Sequence, residues 1–298
     1  MAITITQLTT FLAVVRGGSV TVAADELVVT QPSVSSALAA LGRELGCELF
    51  ERAGRGIRLT DEGRAFAPYA RDVLGVLDDG RQAVLEASES AGKRLRIASV
   101  TTAAESFVPP LMQAFSEQHP EIELTLDVGN AEYVFDRVLR HASDLAICGR
   151  PPADSRLAAE PLATNEIVCI TGPDDPLCAA GPVDAGELGD RAWLMREPGS
   201  GSRKLNEQFL ADRGLQPRTL VLGSNGAIKQ AARAGLGVSL LSRAAVETEL
   251  ASGRLAEIAL SNGPPPRPWF VLRSTVGPVR PTREHFVEFV LAASVDAS

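Results

Sequence analysis

The chain has 298 residues and a mass of 31.4 kDa, and 45% of its residues are hydrophobic, which is enough for two or three domains with cores of their own. Its net charge of −8 and isoelectric point of about 5.1 argue against a protein that coats nucleic acid with its whole surface. The sequence has no run of about 18 apolar residues, so no membrane span is predicted.

The cysteines and histidines give no sign of metal chemistry. The four cysteines stand at unrelated spacings without a C-x-x-C pair, and the three histidines are scattered. This pattern predicts no zinc site, and we expect neither a metal nor a cofactor. The first fifteen residues have the spacing of an amphipathic helix rather than of a basic and apolar signal segment. We therefore expect a reduced, cytoplasmic protein.

Residues 19–44 carry the clearest pattern in the chain. They predict two short helices around a tight turn, with the first helix ending at Leu27 and the second starting at Pro32. Thr30 can cap the second helix through its hydroxyl, and Pro32 fits a first-turn position, where its missing N–H costs no hydrogen bond. A helix–turn–helix of this kind places its second helix in the major groove of double-stranded DNA.

Residues 51–60 have the features of a β-hairpin wing, because Gly54 and Gly56 permit a tight turn. Thr60 then caps a long helix that we expect to continue to about Ala91. Its apolar stripe has little else to cover it, which indicates a dimerisation helix; the alternative is a helix packed on its own domain. The stripe consists of Phe66, Ala70, Val73, Leu77, Val84 and Ala87.

The chemistry of the sequence changes after a polar hinge at residues 88–92. From there on strands alternate with helices, which predicts a mostly parallel sheet. The predicted strands are 95–100, 122–128, 144–148, 167–170, 192–195, 219–222, 238–241 and 269–273. The predicted domains are a DNA-binding domain at 1–62, a linker helix at 63–92, and an α/β domain at 93–298, with lobe I at 93–164 and 267–298 and lobe II at 165–266.

The chain from Phe11 to Gly63 resembles the LysR-type transcriptional regulators almost position by position. The resemblance is carried by Ala23, Ala24 and Leu27, by residues 30–35 (T-Q-P-S-V-S), and by Leu45, Gly46, Leu49, Phe50, Arg52, Leu59, Thr60 and Gly63. Two positions depart from the family pattern: Ser36 stands where a basic residue is frequent, and Gly42 stands where a glutamate is frequent.

The resemblance implies an α/β protein with an N-terminal winged helix–turn–helix, a long linker helix and a two-lobed effector domain of the periplasmic-binding-protein type. It also implies the function: a regulator that reads an inverted repeat in a promoter as a homodimer or homotetramer, with DNA binding modulated by a small molecule. RNA polymerase is a further partner that such a regulator would contact.

Four later segments resemble a subgroup of the family that includes the CbbR regulators of carbon fixation. The segments are 128–130 (V-G-N), 146–151 (A-I-C-G-R-P), 196–203 (R-E-P-G-S-G-S-R) and 228–237 (I-K-Q-A-A-R-A-G-L-G). Members of this subgroup respond to sugar phosphates, phosphoenolpyruvate or nicotinamide nucleotides. The resemblance does not fix the effector.

The start of the second helix supplies the predicted base contacts, at Thr30, Gln31, Pro32, Ser33, Ser35 and Ser36. The Gln31 amide can pair with adenine. Arg52 and Arg55 of the wing would hold phosphates or enter the minor groove. The first 65 residues contain six arginines and seven acids, so DNA affinity must come from local arginines and from pairing two copies.

Three polar turns between strands and helices predict an effector site, at 99–102 (S-V-T-T), 197–202 (E-P-G-S-G-S) and 223–226 (G-S-N-G). Ligands of open α/β sheets bind beyond the carboxyl ends of the strands, where free backbone N–H groups and hydroxyls suit an anion. The predicted site for a small anionic effector comprises Ser99, Thr101, Thr102, Asn130, Gly199, Ser200, Ser202 and Asn225. The alternative is that these are ordinary helix caps and turn residues.

Two other classes of protein remain as alternatives. The first is a small-molecule solute-binding or sensor protein without regulatory DNA binding, in which residues 93–298 do the work. The second is an α/β enzyme, for which the sequence offers no supporting set of residues, since it has no G-x-S-x-G elbow and no phosphate-loop spacing. We therefore expect no catalytic residues.

Overall fold

The computed structural model describes residues 2–54, 56–87 and 93–295. These residues form two compact units, the first comprising residues 2–87 and 139–141 and the second residues 93–138 and 142–295. The predicted hinge at 88–92 and the wing residue Arg55 lie outside the described residues. None of the described helices combines the length and the apolar character that crossing a bilayer requires.

The first unit contains the predicted helix–turn–helix and wing. Its elements are α1 (Ile5–Gly17), α2 (Val20–Leu27), α3 (Gln31–Leu45), β1 (Phe50–Ala53), β2 (Gly56–Leu59) and α4 (Asp61–Ala87). Thr30 is the N-cap of α3, as predicted, and its hydroxyl accepts a hydrogen bond from the Ser33 N–H at 3.4 Å. Strands β1 and β2 pair in antiparallel register around Gly54, which has a positive φ of 59°.

The Phe11 ring lies at the centre of this unit. It is completely buried, and its ring centroid lies 5.3 Å from that of Phe50 and 5.4 Å from that of Phe66. These contacts fix the wing and the start of α4 to α1. A second apolar cluster holds α2 and α3 together and consists of Ala13, Val14, Ala23, Ala24 and Val34.

Thr60 and Gly63 attach the end of the wing to the start of α4. The Thr60 hydroxyl donates to the Glu48 carbonyl at 2.8 Å and accepts from the Gly63 N–H at 3.0 Å. At Gly63 the helix approaches the backbone so closely that an added Cβ would lie 2.1 Å from the Leu49 carbonyl oxygen. Only glycine fits this position without a shift of the backbone.

The apolar stripe predicted along α4 has two parts. Phe66 and Ala70 pack into the core of their own unit. Further along, Val73, Leu77 and Val84 are 49%, 37% and 71% exposed. The first part of the helix therefore packs on its own domain, as the alternative interpretation predicted. The second part leaves an apolar face within the unit uncovered, and dimerisation through it stays a prediction.

The second unit consists of two lobes, each with its own sheet. Lobe I contains β3 (Lys93–Val100), α5 (Thr101–Ser106), α6 (Val108–Gln118), β4 (Ile122–Gly129), α7 (Ala131–Leu139), β5 (Leu145–Cys148) and β6 (Leu157–Asn165). The last strand and helix of the chain, β12 (Arg267–Ser274) and α11 (Pro281–Val295), return to it. Lobe II contains β7 (Ile167–Thr171), β8 (Trp193–Met195), α8 (Gly201–Ala211), β9 (Thr219–Val221), α9 (Asn225–Arg233), β10 (Ser239–Ser242), α10 (Glu247–Ala251) and β11 (Ala256–Ile258).

The prediction of a mostly parallel sheet is confirmed for strand direction, because in the described part of each lobe a single strand runs against the others, β12 in lobe I and β7 in lobe II. The sheet of lobe I has the order β4-β3-β5-β12-β6, in which β3 is parallel to its two neighbours and β12 is antiparallel to both β5 and β6. In lobe II, β10 and β11 both pair antiparallel with β7, whereas β8 and β9 are parallel. The antiparallel pairs arise because the chain passes into lobe II along β6 and returns along β12.

Strand β6 was not predicted from the sequence. It lies at the edge of its sheet, and its register with β12 shifts near Leu162 because Trp269 faces Ala163 while Phe270 faces Pro161. A proline and a bulge are tolerated on an edge strand, but they interrupt the alternation that marks a strand in a sequence.

Replacing Gly63 by alanine should destabilise the protein. The added methyl group overlaps a backbone carbonyl, and relief of such overpacking costs about 1–3 kcal/mol. Thermal unfolding of the full-length chain measures the loss. Gly80→Ala is the matched control, because Gly80 lies in the same helix with open space around its Cβ position and should gain about 0.5–1 kcal/mol. Equal melting temperatures for the two variants would contradict the close approach at Gly63.

Candidate functional site

The residues predicted to approach DNA form one exposed face at the start of α3. Thr30, Gln31, Pro32, Ser33, Ser35 and Ser36 are all exposed. Val34, in their midst, is 1% exposed and packs against Ala23 and Ala24 of α2. Helical geometry thus buries one residue of this turn as an anchor and presents its neighbours to the solvent.

The polar side chains of this face differ in whether they already form hydrogen bonds within the protein. The hydroxyls of Thr30 and Ser33 share a hydrogen bond of 2.8 Å, which belongs to the helix cap. Gln31, Ser35 and Ser36 make no side-chain hydrogen bond to another residue in the part of the chain that the structure describes. Their donors and acceptors are therefore available to base edges or phosphates.

The arginines of the wing region are mostly paired with acids. Arg58 contacts Glu51 across the hairpin at 2.8 Å, and Arg64 contacts Asp61 within the first turn of α4. Arg52 is exposed on β1 and forms no ion pair or hydrogen bond with another described residue. Among the described wing arginines, Arg52 is therefore the one whose guanidinium is not engaged by an acid.

The polar turns that the sequence singled out meet where the two lobes face each other, and this meeting place is called the cleft below. Helix α7 follows β4 in lobe I, while α8 and α9 follow β8 and β9 in lobe II. The first N–H groups of each helix have no partner within the helix, and the helix dipole adds partial positive charge there. Short turns after strand ends thus give this cleft its hydrogen-bond donors.

Hydrogen bonds connect the two lobes at these turns. The Asn225 amide nitrogen donates to the Thr102 hydroxyl at 2.9 Å, and both side chains are buried. The Glu132 N–H donates to the Gly199 carbonyl at 3.2 Å. The Asn130 amide nitrogen lies 3.5 Å from the Pro198 carbonyl oxygen, while its own oxygen accepts from the N–H of Tyr133 as the cap of α7. Asn130 is therefore both a helix cap and a link between lobes.

Arg196 and Glu197 complete the cleft, although they were not among the predicted site residues. Arg196 is 6% exposed and follows the last residue of β8. Its Nε and Nη2 donate to the two Glu197 carboxylate oxygens at 2.7 and 3.0 Å, and its Nη1 donates to the Asn225 oxygen at 2.6 Å. The segment 196–203 marked these residues in the sequence, but spacing alone did not show that the arginine turns inward.

The charge state of Glu197 follows from these contacts. Burial raises the pKa of its carboxyl, but the hydrogen bonds from Arg196 and the positive charge of that guanidinium outweigh burial and hold the pKa below its ordinary value. Glu197 is thus ionised at neutral pH and neutralises Arg196. With Arg196 neutralised, the helix N-termini remain to attract an anion.

The other predicted effector residues have different positions. Ser200 is 3% exposed and is the N-cap residue of α8, but its hydroxyl makes no capping hydrogen bond. The Ser99 hydroxyl is fully buried and donates to the Val100 carbonyl at 3.2 Å, and the Thr101 hydroxyl donates to the Gly129 carbonyl at 3.4 Å. Ser202 is half-buried in the first turn of α8. Among these residues, Ser200 is therefore a helix N-cap whose hydroxyl is not used for capping.

The cysteines are placed for packing. Burial raises the pKa of Cys148 to about 12, and it raises the pKa of Cys169 further. Burial, together with the charge of Asp175, also raises the pKa of Cys178. Thiols of this kind are poor nucleophiles and poor metal ligands, because both roles need the thiolate. Within the described ranges, no group of three His, Cys, Asp or Glu side chains could hold a metal ion.

A winged helix–turn–helix followed by a two-lobed α/β domain defines a regulator that binds DNA and has a separate domain for a ligand. Comparison with known families agrees. The model of the bacterial regulatory helix-turn-helix proteins of the lysR family matches residues 5–64, and the model of the LysR substrate binding domain matches residues 88–294. The chain belongs to the LysR family of transcriptional regulators.

Individual relatives indicate which subgroup of the family this chain resembles. The chain is 33% identical over 294 residues to the RuBisCO operon transcriptional regulator of Acidithiobacillus ferrooxidans, covering 98% of this chain and 95% of the relative. It is 36% identical over 289 residues to the regulator CbbR of Rhodospirillum rubrum, covering 97% and 96%. The predicted likeness to the CbbR-type regulators is confirmed. The helix–turn–helix match also favours the DNA-binding regulator over the solute-binding alternative, and these relatives are regulators rather than enzymes.

A solved structure resembles the second unit. It is the regulatory domain of CcmR from Synechocystis PCC6803 in complex with 2-PG, which is 32% identical and superposes with a TM-score of 0.64. The match covers 68% of this chain and 97% of that domain.

The buried thiols should resist alkylation in the native protein. A pKa near 12 leaves about a thousandfold less thiolate on Cys148 at about pH 8 than an ordinary thiol would have. Mass spectrometry of peptides after timed iodoacetamide treatment should find Cys148 and Cys169 unmodified while the half-buried Cys47 reacts. In urea all of them should react. Labelling of Cys148 at the same rate with and without urea would contradict its burial.

Proposed function

We propose that this LysR-family regulator reads operator DNA with the exposed start of α3, holds phosphate with Arg52, and is controlled by a small anionic metabolite bound in the cleft between its lobes. Thr30, Gln31, Pro32, Ser33, Ser35 and Ser36 would approach the major groove, with Gln31 able to pair with adenine. Arg55 of the wing remains part of the proposal from sequence alone.

One observation carries the effector part of the proposal. A buried polar chain runs from Thr102 in lobe I through Asn225 to the Arg196 guanidinium in lobe II. The hydrogen bonds along this chain offset the cost of burying its polar groups, and the chain ends in a cleft where α7, α8 and α9 all begin. An anion held there would receive donors from both lobes at once.

The chemical class of the effector follows from these donors. A guanidinium, amide nitrogens and helix N-termini suit a phosphate or carboxylate group. The CcmR regulatory domain, a relative at 32% identity, was solved with 2-PG, which supports a ligand of similar kind and size for this chain. We therefore expect a small metabolite with a phosphate or carboxylate group, contacted by Thr102, Asn130, Gly199, Ser200, Ser202 and Asn225.

Effector binding would act on DNA through the arrangement of paired subunits. A ligand shifts such an equilibrium only if it binds one arrangement better than the other, and a cleft with donors on two lobes meets that requirement. The exposed residues Val73, Leu77 and Val84 of α4 would pair two copies into a homodimer, or a homotetramer when further contacts form. Such a regulator works in the cytoplasm beside RNA polymerase, and the proposal assigns it no catalytic activity.

Arg52→Ala should weaken DNA binding for all sequences alike. Loss of one phosphate contact per subunit makes the dependence of log affinity on log salt less steep by about 0.9 for each subunit, which is about 2 for a dimer. Gel-shift titrations over a salt series, on intergenic fragments recovered by chromatin mapping, measure this. Arg58→Ala is the control, because Arg58 is already paired with Glu51. Gln31→Ala should instead change the preferred bases, and identical footprints for all three variants would contradict the assignment.

Asn225→Ala should impair effector binding without unfolding the protein. The variant loses the amide that positions Arg196 and links it to Thr102, so affinity for an anion should fall about tenfold or more. Isothermal titration of the full-length chain with 2-PG and with inorganic phosphate measures the change. The exposed Asn262→Ala is the control. If neither 2-PG nor phosphate binds the unmodified chain, the anionic class is wrong.

A further inference from the structure

The guanidinium of Arg196 is already bound to a carboxylate of its own chain. Two of its nitrogens meet the two Glu197 oxygens at 2.7 and 3.0 Å, which is the two-bond geometry that arginine adopts with free carboxylates and phosphates. Glu197 therefore occupies the guanidinium nitrogens, Nε and Nη2, with which Arg196 could bind an anionic ligand.

Lobe I also contributes a donor to the same carboxylate. The Asn130 amide nitrogen lies 3.5 Å from Glu197 Oε1, so donors from both lobes converge on this one oxygen. The neighbouring turn adds Gly199, where a positive φ of 86° and the closeness of Glu132 and Asn130 leave no room for a Cβ. The carboxylate thus occupies the point in the cleft where the anion donors meet.

The two partners differ in how firmly they are held. The Arg196 side chain is 7% exposed and is fixed on its far side by Asn225, whereas the Glu197 side chain is 28% exposed. Rotation of Glu197 toward the solvent would restore its hydration, while Arg196 has no such alternative. The glutamate is therefore the partner that can leave.

We propose that Glu197 is an internal counter-anion that competes with the effector for Arg196 and Asn130, and so sets the effector concentration at which the regulator responds. This inference rests on the proposed function, because it requires an anion in the cleft. While Glu197 holds the guanidinium, only a fraction of molecules can accept the ligand, and the apparent affinity is lower by that fraction. Binding exchanges the Glu197 carboxylate for the anionic group of the ligand, and Arg196 stays neutralised throughout.

The test is the anion affinity of the Glu197→Gln variant of the full-length chain. Glutamine has the same shape and can still accept from Asn130, but it removes the negative charge from the Arg196 fork. Isothermal titration should show inorganic phosphate and 2-PG binding about tenfold more tightly than to the unmodified chain, the scale of one charge-assisted hydrogen bond. Phosphate should also raise the melting temperature of this variant more than that of the unmodified chain.

Glu132→Gln is the matched control. Glu132 lies at the same turn, close to Gly199, but does not contact Arg196. A general reduction of negative charge in the cleft would tighten binding equally in both variants and would overturn the proposal. The double variant Arg196→Gln/Glu197→Gln should bind phosphate and 2-PG no more tightly than Arg196→Gln alone, because without the guanidinium Glu197 has nothing to compete for.

Further outcomes separate this inference from the proposed function. If Glu197 serves only to orient Arg196, Glu197→Gln will bind phosphate more weakly, and the counter-anion is wrong. If the unmodified chain and Glu197→Gln bind 2-PG equally well, the counter-anion role of Glu197 is again wrong, while the proposal of an anionic effector is supported. If neither protein binds either anion, the effector class itself fails. Should Glu197→Gln not fold, Glu197→Asp keeps the charge but shortens its reach, and it should show a smaller gain.

Discussion

The need to satisfy one buried guanidinium shapes the cleft of this protein. A buried cation is costly unless it is paired and hydrogen-bonded, and Arg196 obtains its partners from Glu197 and from the Asn225 oxygen. Once the Asn225 oxygen is used in this way, its amide nitrogen points the other way and finds the Thr102 hydroxyl in lobe I. The chain of hydrogen bonds thus continues from the buried charge of Arg196 to the opposite lobe.

The DNA-binding unit depends on a different constraint, which is a shortage of positive charge. Its arginines are outnumbered by acids, and Arg58 and Arg64 are engaged with Glu51 and Asp61. Exposed ion pairs of this kind contribute little stability, but each one costs energy to break before its arginine can reach a phosphate. On the proposed function, affinity would rest on a few groups at α3 and β1 that have no partner among the described residues, and on the pairing of two copies.

The sequence was most informative where local patterns decide the structure. The caps of α3 and α4 at Thr30 and Thr60 could be predicted because each depends on a hydroxyl and a backbone N–H three residues away. Strand β6 could not, since Pro161 and a bulge interrupt its alternation and its pairing partner stands more than a hundred residues later. Arg196 was missed for a related reason: burial of an arginine depends on Asn225, and a long-range contact leaves no local pattern.

The wing and the cleft share one physical strategy. An acidic chain that must hold anionic ligands cannot attract them with its overall field, since its net charge of −8 repels them. It can hold them only at short range, with backbone N–H groups at helix starts and with single arginines. Where such an arginine is buried, as at Arg196, the chain must also supply an anion for it when the ligand is elsewhere. On the proposed function, that requirement makes binding an exchange of one anion for another at Arg196, and the cost of releasing Glu197 lowers the apparent affinity for the ligand.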